Sequence, residues 1–174
     1  SNTKHIYHYY KSETNLALGG GRNALFKNSN GKYFYVLDDD AVISPDNVDF
    51  FIEATNILEN NSQIIGLSTQ IYDEAWEKNR RSGYRKLKDN LYLDFMFCGG
   101  SHFLRRNFFS ETPYLNNKYG YEELPATLAI YNSKKMNVFC ENLLVIHRPT
   151  VNKWKYDDEK HHEIIIKVIA IPYA

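Results

Sequence analysis

The sequence predicts an α/β domain, because short apolar runs typical of strands alternate with a stretch of helical periodicity. Tyr33–Leu37 is rich in aromatic and β-branched residues and is bounded by acids, as expected of a buried strand. Between Phe50 and Leu58, apolar residues recur at helical spacing. Gln63–Gln70 then returns to a strand pattern. With 174 residues, the chain is most simply one domain, 1–174, with a substantial core.

Composition excludes some classes of partner. The 21 basic and 21 acidic residues balance, so no net field attracts nucleic acid or an anionic membrane. No apolar run approaches the roughly twenty residues of a membrane span, and a reducing cytoplasmic location is the default. The 14 tyrosines and 10 phenylalanines supply core, but aromatic residues also line carbohydrate and nucleotide sites.

Three consecutive acids, Asp38–Asp40, follow the first clear strand. In open α/β sheets, ligands bind beyond the carboxyl ends of the strands. Carboxylates packed this closely repel one another unless water, cations or hydrogen bonds compensate. The segment is therefore either a solvated acidic loop or a cation site.

Glycines interrupt the chain before that strand. Asn15–Asn23 reads as a glycine-rich turn, followed by a short helix over Ala24–Asn28. Consecutive glycines let a backbone approach a ligand closely, and Arg22 would add a planar, charged donor. The alternative is a flexible turn that carries a surface arginine.

In the middle of the chain, the sequence predicts one helix start, two strands and a long connection. Ser44 and Pro45 have the residue types of a cap and a first helical position. Tyr72–Asn90 is charged and lacks a clear period, so it is either a segment that covers or selects a substrate or a mobile insertion. Strands are expected at Leu91–Phe97 and His102–Arg105.

Two acids, Glu122 and Glu123, precede a predicted helix with one apolar face, formed by Leu124, Leu128 and Tyr131. Acids at a helix start interact favourably with its dipole, which is a structural explanation for both.

Four further short segments complete the chain. Val138–Cys140 and Leu143–Ile146 are predicted strands, and His147 ends the second. A single histidine at a strand end is commonly a hydrogen-bonded structural residue. His5–Tyr10 is expected to be a strand near a sheet edge, and the apolar run Ile164–Ala174 ends without polar residues.

The chain contains, in order, a glycine turn with Arg-Asn, a strand ending in LDDD, a later Gly-Gly, GYEE before a helix, and a strand ending in His. This order of motifs resembles that of a family 2 glycosyltransferase of the GT-A fold. The resemblance covers the chain from about Asn15 to His147. It implies a GT-A-like, Rossmann-like architecture in which a mixed, mainly parallel central sheet is flanked by helices.

The resemblance also implies a metal site. Asp38 and Asp40 match the acidic motif that holds a divalent cation, Mn²⁺ or Mg²⁺, on the diphosphate of a nucleotide-sugar donor. Hard cations prefer such oxygen ligands. Asp39 matches a position that faces the nucleoside in relatives, and His147 matches one that provides another metal ligand.

Further roles carry over to the glycines, the arginine and the second acidic pair. Arg22 matches a position that contacts the nucleotide, and Gly99 and Gly100 match a turn beside the acceptor site. Glu122 and Glu123 match a Glu-Asp pair whose second acid takes the proton of the acceptor hydroxyl. Here that second acid is one methylene longer than in the family pattern.

The implied activity is inverting, metal-dependent transfer of a sugar to an acceptor hydroxyl of a glycan or a lipid-linked molecule, in glycan or polysaccharide synthesis. Two alternatives stay open: a nucleotidyltransferase of similar layout, and a non-catalytic sugar-binding or scaffold domain. We expect a cytoplasmic protein, with peripheral association at the inner face of a membrane left open.

Family members begin with a strand, a helix and a second strand that bind the nucleotide base, and the sequence has no counterpart of these. We therefore expect a fragment that is incomplete at both ends, in which the donor nucleotide cannot be identified.

Overall fold

A mixed β-sheet lies at the centre of this computed structural model, which describes residues 8–80, 85–97, 99–117 and 120–149. The helices are α1 (Ala17–Asn28), α2 (Phe50–Asn60) and α3 (Leu124–Asn132). The strands are β1 (Tyr33–Leu37), β2 (Ala41–Ile43), β3 (Ile64–Asp73), β4 (Lys78–Arg80), β5 (Arg85–Lys88), β6 (Leu91–Asp94), β7 (Ser101–Arg105) and β8 (Met136–His147).

The strand order is β1-β7-β3-β8-β6-β5, with β2 paired to β8 and β4 paired to β3. A mixed sheet flanked by helices is confirmed, but the expected excess of parallel pairs is wrong. Among the described residues, only β3 and β8 pair in parallel, and the other six pairings are antiparallel. The reason is that β7 lies between β1 and β3 and runs opposite to both.

The strands β1, β3 and β8 nevertheless share one direction, so their carboxyl ends meet at one edge of the sheet. At this edge Asp73, the last residue of β3, pairs with His147, the last residue of β8. Ala41 of β2 also pairs with His147, which brings the segment after β1 to the same place. The sheet topology therefore gathers polar residues from three distant parts of the sequence.

Each face of the sheet has its own hydrophobic core. On one face, the α2 residues Phe50, Ala54 and Leu58 are buried against the strands. On the other, Phe26 of α1 and Ile130 of α3 pack in a second cluster. Alternate residues of β1 serve the two clusters, as the two-residue period of a strand requires.

Helix α1 is longer than predicted. It begins at Ala17 and runs through all three glycines, so the expected turn over Asn15–Asn23 is wrong and Ala24–Asn28 is only its second half. Gly19 explains why glycine is useful inside this helix. A Cβ at Gly19 would overlap the backbone carbonyl of Leu115, so the missing side chain lets α1 lie close to that segment.

The Ser44-Pro45 pair does not start a helix. Ser44 accepts a hydrogen bond from the Asn47 amide within a turn, and α2 begins only at Phe50. The side chain of Asn47 binds the Asn142 carbonyl and the Leu144 amide, which fastens this turn to β8. This segment is therefore a turn held to β8 by hydrogen bonds, and not the capped helix start that the sequence predicts.

The apolar face predicted for α3 is wrong. Its buried residues are Ala126, Thr127 and Ile130, whereas Leu128 and Tyr131 are 41% and 71% exposed. Helical spacing identified an apolar stripe, but a different face of the helix is buried.

Other expectations are changed in part. Val138–Cys140 and Leu143–Ile146 belong to one strand, β8, whose pairing with β3 is irregular near Cys140. The predicted excursion Tyr72–Asn90 contains β4 and β5 rather than loop alone. Of the strand predicted at His5–Tyr10, residues 8–10 are not in a strand, and residues 5–7 lie outside the described residues, as does Ile164–Ala174.

In the part of the chain that the structure describes, the helices are too short or too polar to cross a membrane.

Candidate active site

The three acids after β1 lie at the edge where β1, β3 and β8 end. The Asp38 amide donates to the Gly100 carbonyl at 3.0 Å, and the Asp40 carbonyl accepts from the Arg148 amide at 2.7 Å. These bonds fix the acidic turn between the start of β7 and the end of β8. The side chains of Asp38 and Asp40 are 27% and 30% exposed, and Asp39 is exposed. The acids are thus fixed by their backbone while their carboxylates remain accessible.

Arg22 of α1 joins the acidic turn to α3. Its Nη2 donates to Asp38 Oδ1 at 2.9 Å and to the Gly99 carbonyl at 2.8 Å, while its Nη1 donates to Glu123 Oε1. The guanidinium also lies 5.8 Å from the centre of the Tyr114 ring. Arg22 is only 5% exposed, so it acts as a buried bridge between two carboxylates. Its predicted contact with a nucleotide stays a prediction.

The two glutamates before α3 have different surroundings, although both are buried. Glu123 binds Arg22, whereas Glu122 accepts the Gly120 amide at 2.9 Å and its backbone carbonyl accepts the Leu115 amide. Burial raises the pKa of Glu123, and the positive charge of Arg22 opposes only part of that rise. Glu123 thus joins the candidate site through Arg22, whereas Glu122 binds the loop beside it.

Gly99 and Gly100 leave room for this arrangement. A Cβ at Gly99 would overlap Glu123 Oε1, and a Cβ at Gly100 would lie 3.2 Å from Asp38 Oδ2. The turn predicted to lie beside an acceptor therefore lies directly against both carboxylates that Arg22 binds. Burial likewise raises the pKa of Asp38, against the opposing charge of Arg22.

His147 connects the acidic turn to a second buried acid. Its Nδ1 lies 2.9 Å from Asp73 Oδ2, and its Nε2 lies 3.3 Å from Asp40 Oδ1. We assign the Nδ1 proton to the bond with Asp73, which leaves the Nε2 lone pair facing Asp40. Asp73 thus orients the ring so that Nε2 faces Asp40, and a cation between Nε2 and that carboxylate would be bound by both groups.

Asp73 and Arg80 also belong to the candidate site, although the sequence did not predict either of them. Asp73 is fully buried and accepts hydrogen bonds from Arg80 and His147. Burial opposes its ionisation, but these bonds hold the pKa of Asp73 below its ordinary value. A signal was present, because Asp73 follows an apolar strand just as Asp38 does. Arg80 had no comparable signal.

The pair Asp40 and His147 fits a divalent cation. Two neighbouring ligands at right angles, each about 2.1 Å from a metal, are about 3 Å apart, close to the observed 3.3 Å. A carboxylate on the far nitrogen of a ligating histidine is a common supporting feature, and Asp73 supplies it. Asp38 is paired with Arg22, and in the described ranges no three His, Cys, Asp or Glu side chains are grouped to hold a metal.

Comparisons with known proteins agree with this architecture. The model of the family described as glycosyl transferase family 2 matches residues 1–112. The crystal structure of GalNAc-T7 with UDP, GalNAc and Mn²⁺ superposes with a TM-score of 0.68 and 16% identity, covering 91% of this chain and 36% of that one. The chain thus spans about a third of that structure's length.

The crystal structure of A197 from STIV gives a TM-score of 0.42 at 14% identity, over 77% of this chain and 75% of that one, which is too low to support an argument. A search of curated proteins found no match. The GalNAc-T7 likeness supports the fold, and the family model covers well over half of the sequence. The chain therefore belongs to glycosyl transferase family 2.

Proposed function

We propose that this chain transfers a sugar, with inversion, from a nucleotide-sugar donor to the hydroxyl of a glycan or lipid-linked acceptor. The proposal is carried by one observation: the cation-compatible pair Asp40 and His147 lies beside an Arg22 bridge that leads to a buried glutamate. Family membership supports glycosyl transfer in general. Because GalNAc-T7 was solved with UDP, GalNAc and Mn²⁺, UDP-GalNAc and Mn²⁺ are the first probes to use.

Asp40 and His147 would hold the cation, and Asp38 would join them if it left Arg22. When bound, a divalent cation neutralises the negative charge that collects on the departing nucleoside diphosphate. Asp73, which also accepts a hydrogen bond from Arg80, keeps the His147 ring in the orientation that presents Nε2 to Asp40. Asp39, which is exposed in the same turn, is available for the nucleoside.

Glu123 is the proposed general base. It would take the proton of the acceptor hydroxyl while that oxygen bonds to the anomeric carbon. The bond from that carbon to the diphosphate oxygen then breaks on the opposite face, which inverts the configuration. The bond to Arg22 orients the carboxylate, and the pKa raised by burial makes it a stronger proton acceptor than an exposed glutamate.

The proposal is tested by turnover of the full-length protein. UDP-GalNAc and other nucleotide sugars are incubated with Mn²⁺ or Mg²⁺, and release of the nucleoside diphosphate is followed with and without acceptor glycans. We expect release that requires the metal and that stops in Asp40→Asn. Release of the sugar 1-phosphate, with transfer of the nucleoside monophosphate, would instead identify a nucleotidyltransferase, and binding without turnover would identify a non-catalytic sugar-binding domain.

Calorimetry separates binding from folding in this test. Asp40→Asn should lose most of the Mn²⁺-dependent affinity for UDP and keep its circular dichroism spectrum and melting temperature. Asp46→Asn, an exposed acid in the turn after β2, is the matched control and should bind UDP normally. Unchanged affinity in Asp40→Asn would rule out the metal assignment.

A further inference from the structure

Trp76 is a largely exposed tryptophan in the four-residue loop between β3 and β4. Its side chain is 61% exposed, while Asp73 and Lys78 close the hairpin on either side of the loop. A single exposed aromatic residue is ordinary on a protein surface and carries no inference by itself. Trp76 differs from other exposed aromatic residues because its loop is hydrogen-bonded to the end of β8, at His147.

The loop is fastened to the end of β8, beside the candidate metal ligand. The Glu74 amide donates to the His147 carbonyl at 3.0 Å, and Arg148 Nε donates to Glu74 Oε1 at 2.9 Å. The Ala75 amide donates to Asp73 Oδ1 at 3.1 Å, so one carboxylate orders both this loop and the His147 ring. The two residues before Trp76 are therefore held against the end of β8, next to His147.

One guanidinium separates the indole from the His147 ring. Arg80 lies 5.1 Å from the centre of the Trp76 ring, and its Nη2 lies 3.2 Å from His147 Nδ1. Lys78 Nζ lies 5.4 Å from the same ring. Cations at these distances are attracted to the electron-rich face of an indole. The two basic residues thus hold an exposed aromatic surface at the rim of the candidate active site.

We propose that Trp76 and Lys78 form a saccharide-binding platform at this rim. The faces of a sugar ring present C–H groups, which carry partial positive charge and pack against the negative face of an aromatic ring. The ammonium group of Lys78, on an exposed residue, donates to a sugar hydroxyl or carboxylate at the ring edge. The choice of a saccharide rests on the proposed function, and its source is either the acceptor glycan or the donor sugar.

The platform is tested without metal, nucleotide or turnover. In a spectrum of ¹⁵N-labelled indole groups, the signal of Trp76 is assigned as the one that disappears in Trp76→Phe. Methyl glycosides of glucose, galactose, N-acetylgalactosamine and glucuronic acid are titrated into the full-length protein. We expect a saturable shift of the Trp76 signal with at least one glycoside. Trp76→Ala should weaken that binding at least tenfold, measured by calorimetry, and Trp76→Phe should restore part of it.

Phe95→Ala is the matched control, because Phe95 is a 70% exposed aromatic residue outside this loop, and it should not change glycoside affinity. If none of the glycosides shifts the Trp76 signal, or if Trp76→Ala binds them as tightly as the native protein, the platform does not exist. If the protein binds the glycosides but transfers no sugar, the proposed function is contradicted and the saccharide-binding platform is not.

Two further binding measurements, both made with Mn²⁺ present, identify whether the saccharide is the donor sugar or the acceptor. If the donor sugar lies on Trp76, Trp76→Ala weakens UDP-GalNAc binding and leaves UDP binding unchanged. If the acceptor lies there, glycoside binding persists with UDP-GalNAc bound, and only glycoside affinity falls in Trp76→Ala. An equal loss of UDP affinity would show that the indole stacks on the nucleobase and would overturn the proposal.

Discussion

At the scale of single residues, Arg22 holds the candidate site together. It is buried and binds carboxylates that come from two other parts of the fold, at the end of β1 and before α3. A buried charge is tolerated only when it is paired, so each of these three groups depends on the other two. The arginine therefore has a structural role whether or not it also contacts a nucleotide.

Replacing Arg22 with methionine should destabilise the protein strongly. The change leaves Asp38 and Glu123 without their cation, and breaking a buried pair in this way costs about 3–5 kcal/mol of unfolding free energy. Urea unfolding measures the effect. Arg148→Met is the control, because its pair with Glu74 is exposed and such pairs contribute about 1 kcal/mol or less. Similar losses in the two variants would contradict the bridging role.

Glu123 and Glu122 should differ in their effect on turnover. Glu123→Gln keeps the shape of the side chain and removes the proton-accepting charge, so kcat should fall about a hundredfold or more. Glu122→Gln should be milder, because its carboxylate binds a loop amide rather than Arg22. Donor affinity should change little in both. A larger loss of kcat in Glu122→Gln would show that the base is the other glutamate.

The pH dependence of kcat/KM gives a second test of the same residue. A base must be deprotonated to act, so activity should fall as pH decreases through the pKa of Glu123. Because burial raises that pKa, the midpoint should lie above the ordinary glutamate value of 4.5. Glu122→Gln should retain this acidic limb, and the residual activity of Glu123→Gln should lack it. An identical limb in Glu123→Gln would assign the titration to another group.

At the scale of elements, α1 shows how three adjacent glycines differ in function. Gly19 faces the backbone of Leu115, and Gly20 lies near the Asn116 side chain, whereas a Cβ at Gly21 would have no atom within 4 Å. Arg22 follows directly, so the close packing of the first glycines sets the depth at which the guanidinium enters the site. The third glycine has no such packing role.

Gly21→Ala should therefore stabilise the protein by about 0.5–1 kcal/mol, because alanine loses less backbone entropy within a helix. Gly19→Ala should destabilise it and displace Arg22, since the new methyl group overlaps a backbone carbonyl that cannot easily move. Thermal unfolding of both variants, with transfer activity as a second measurement, compares the same substitution two positions apart. Equal effects would mean that α1 does not pack as described.

At the scale of the whole molecule, the shared direction of β1, β3 and β8 brings the residues of the candidate site together. Their carboxyl ends bring the acidic turn, Asp73 and His147 to one edge, and the β3–β4 loop with Trp76 is fastened beside them. A ligand bound at this edge contacts segments from most of the sequence. Binding should consequently stabilise the global fold rather than one loop.

UDP and Mn²⁺ added together should raise the melting temperature more than the sum of their separate effects. A ligand at about 100 times its Kd adds about 2.7 kcal/mol if it binds only the native state. His147→Ala should remove the Mn²⁺-dependent part, and it should lower the ligand-free melting temperature moderately because the buried Asp73 carboxylate loses one of its hydrogen bonds. His8→Ala, an exposed histidine, is the control. If His147→Ala destabilises the ligand-free protein and leaves the Mn²⁺ effect intact, the histidine is structural.

Local sequence patterns predicted the polar residues that follow β1, precede α3 and end β8, although they misplaced the starts of α1 and α2. Asp38–Asp40 after β1, Glu123 before α3 and His147 at the end of β8 were all recognisable from local patterns. Local patterns were enough because strand and helix periodicities span only a few residues, and a polar residue that ends an apolar run breaks the pattern visibly. The order of the motifs then indicated the family.

Only the tertiary structure decided which of these residues meet. The Arg22–Glu123 bond joins positions 101 residues apart, and the His147–Asp73 bond joins positions 74 apart. The periodicity of a helix or a strand gives no information on contacts between residues this far apart in the sequence. The face of α3 that is buried and the insertion of β7 between β1 and β3 were likewise decided by packing across the sheet. The roles proposed for Asp73, Arg80 and Trp76 depend on the fold in the same way, because burial and pairing are properties of the folded chain rather than of the segments that build it.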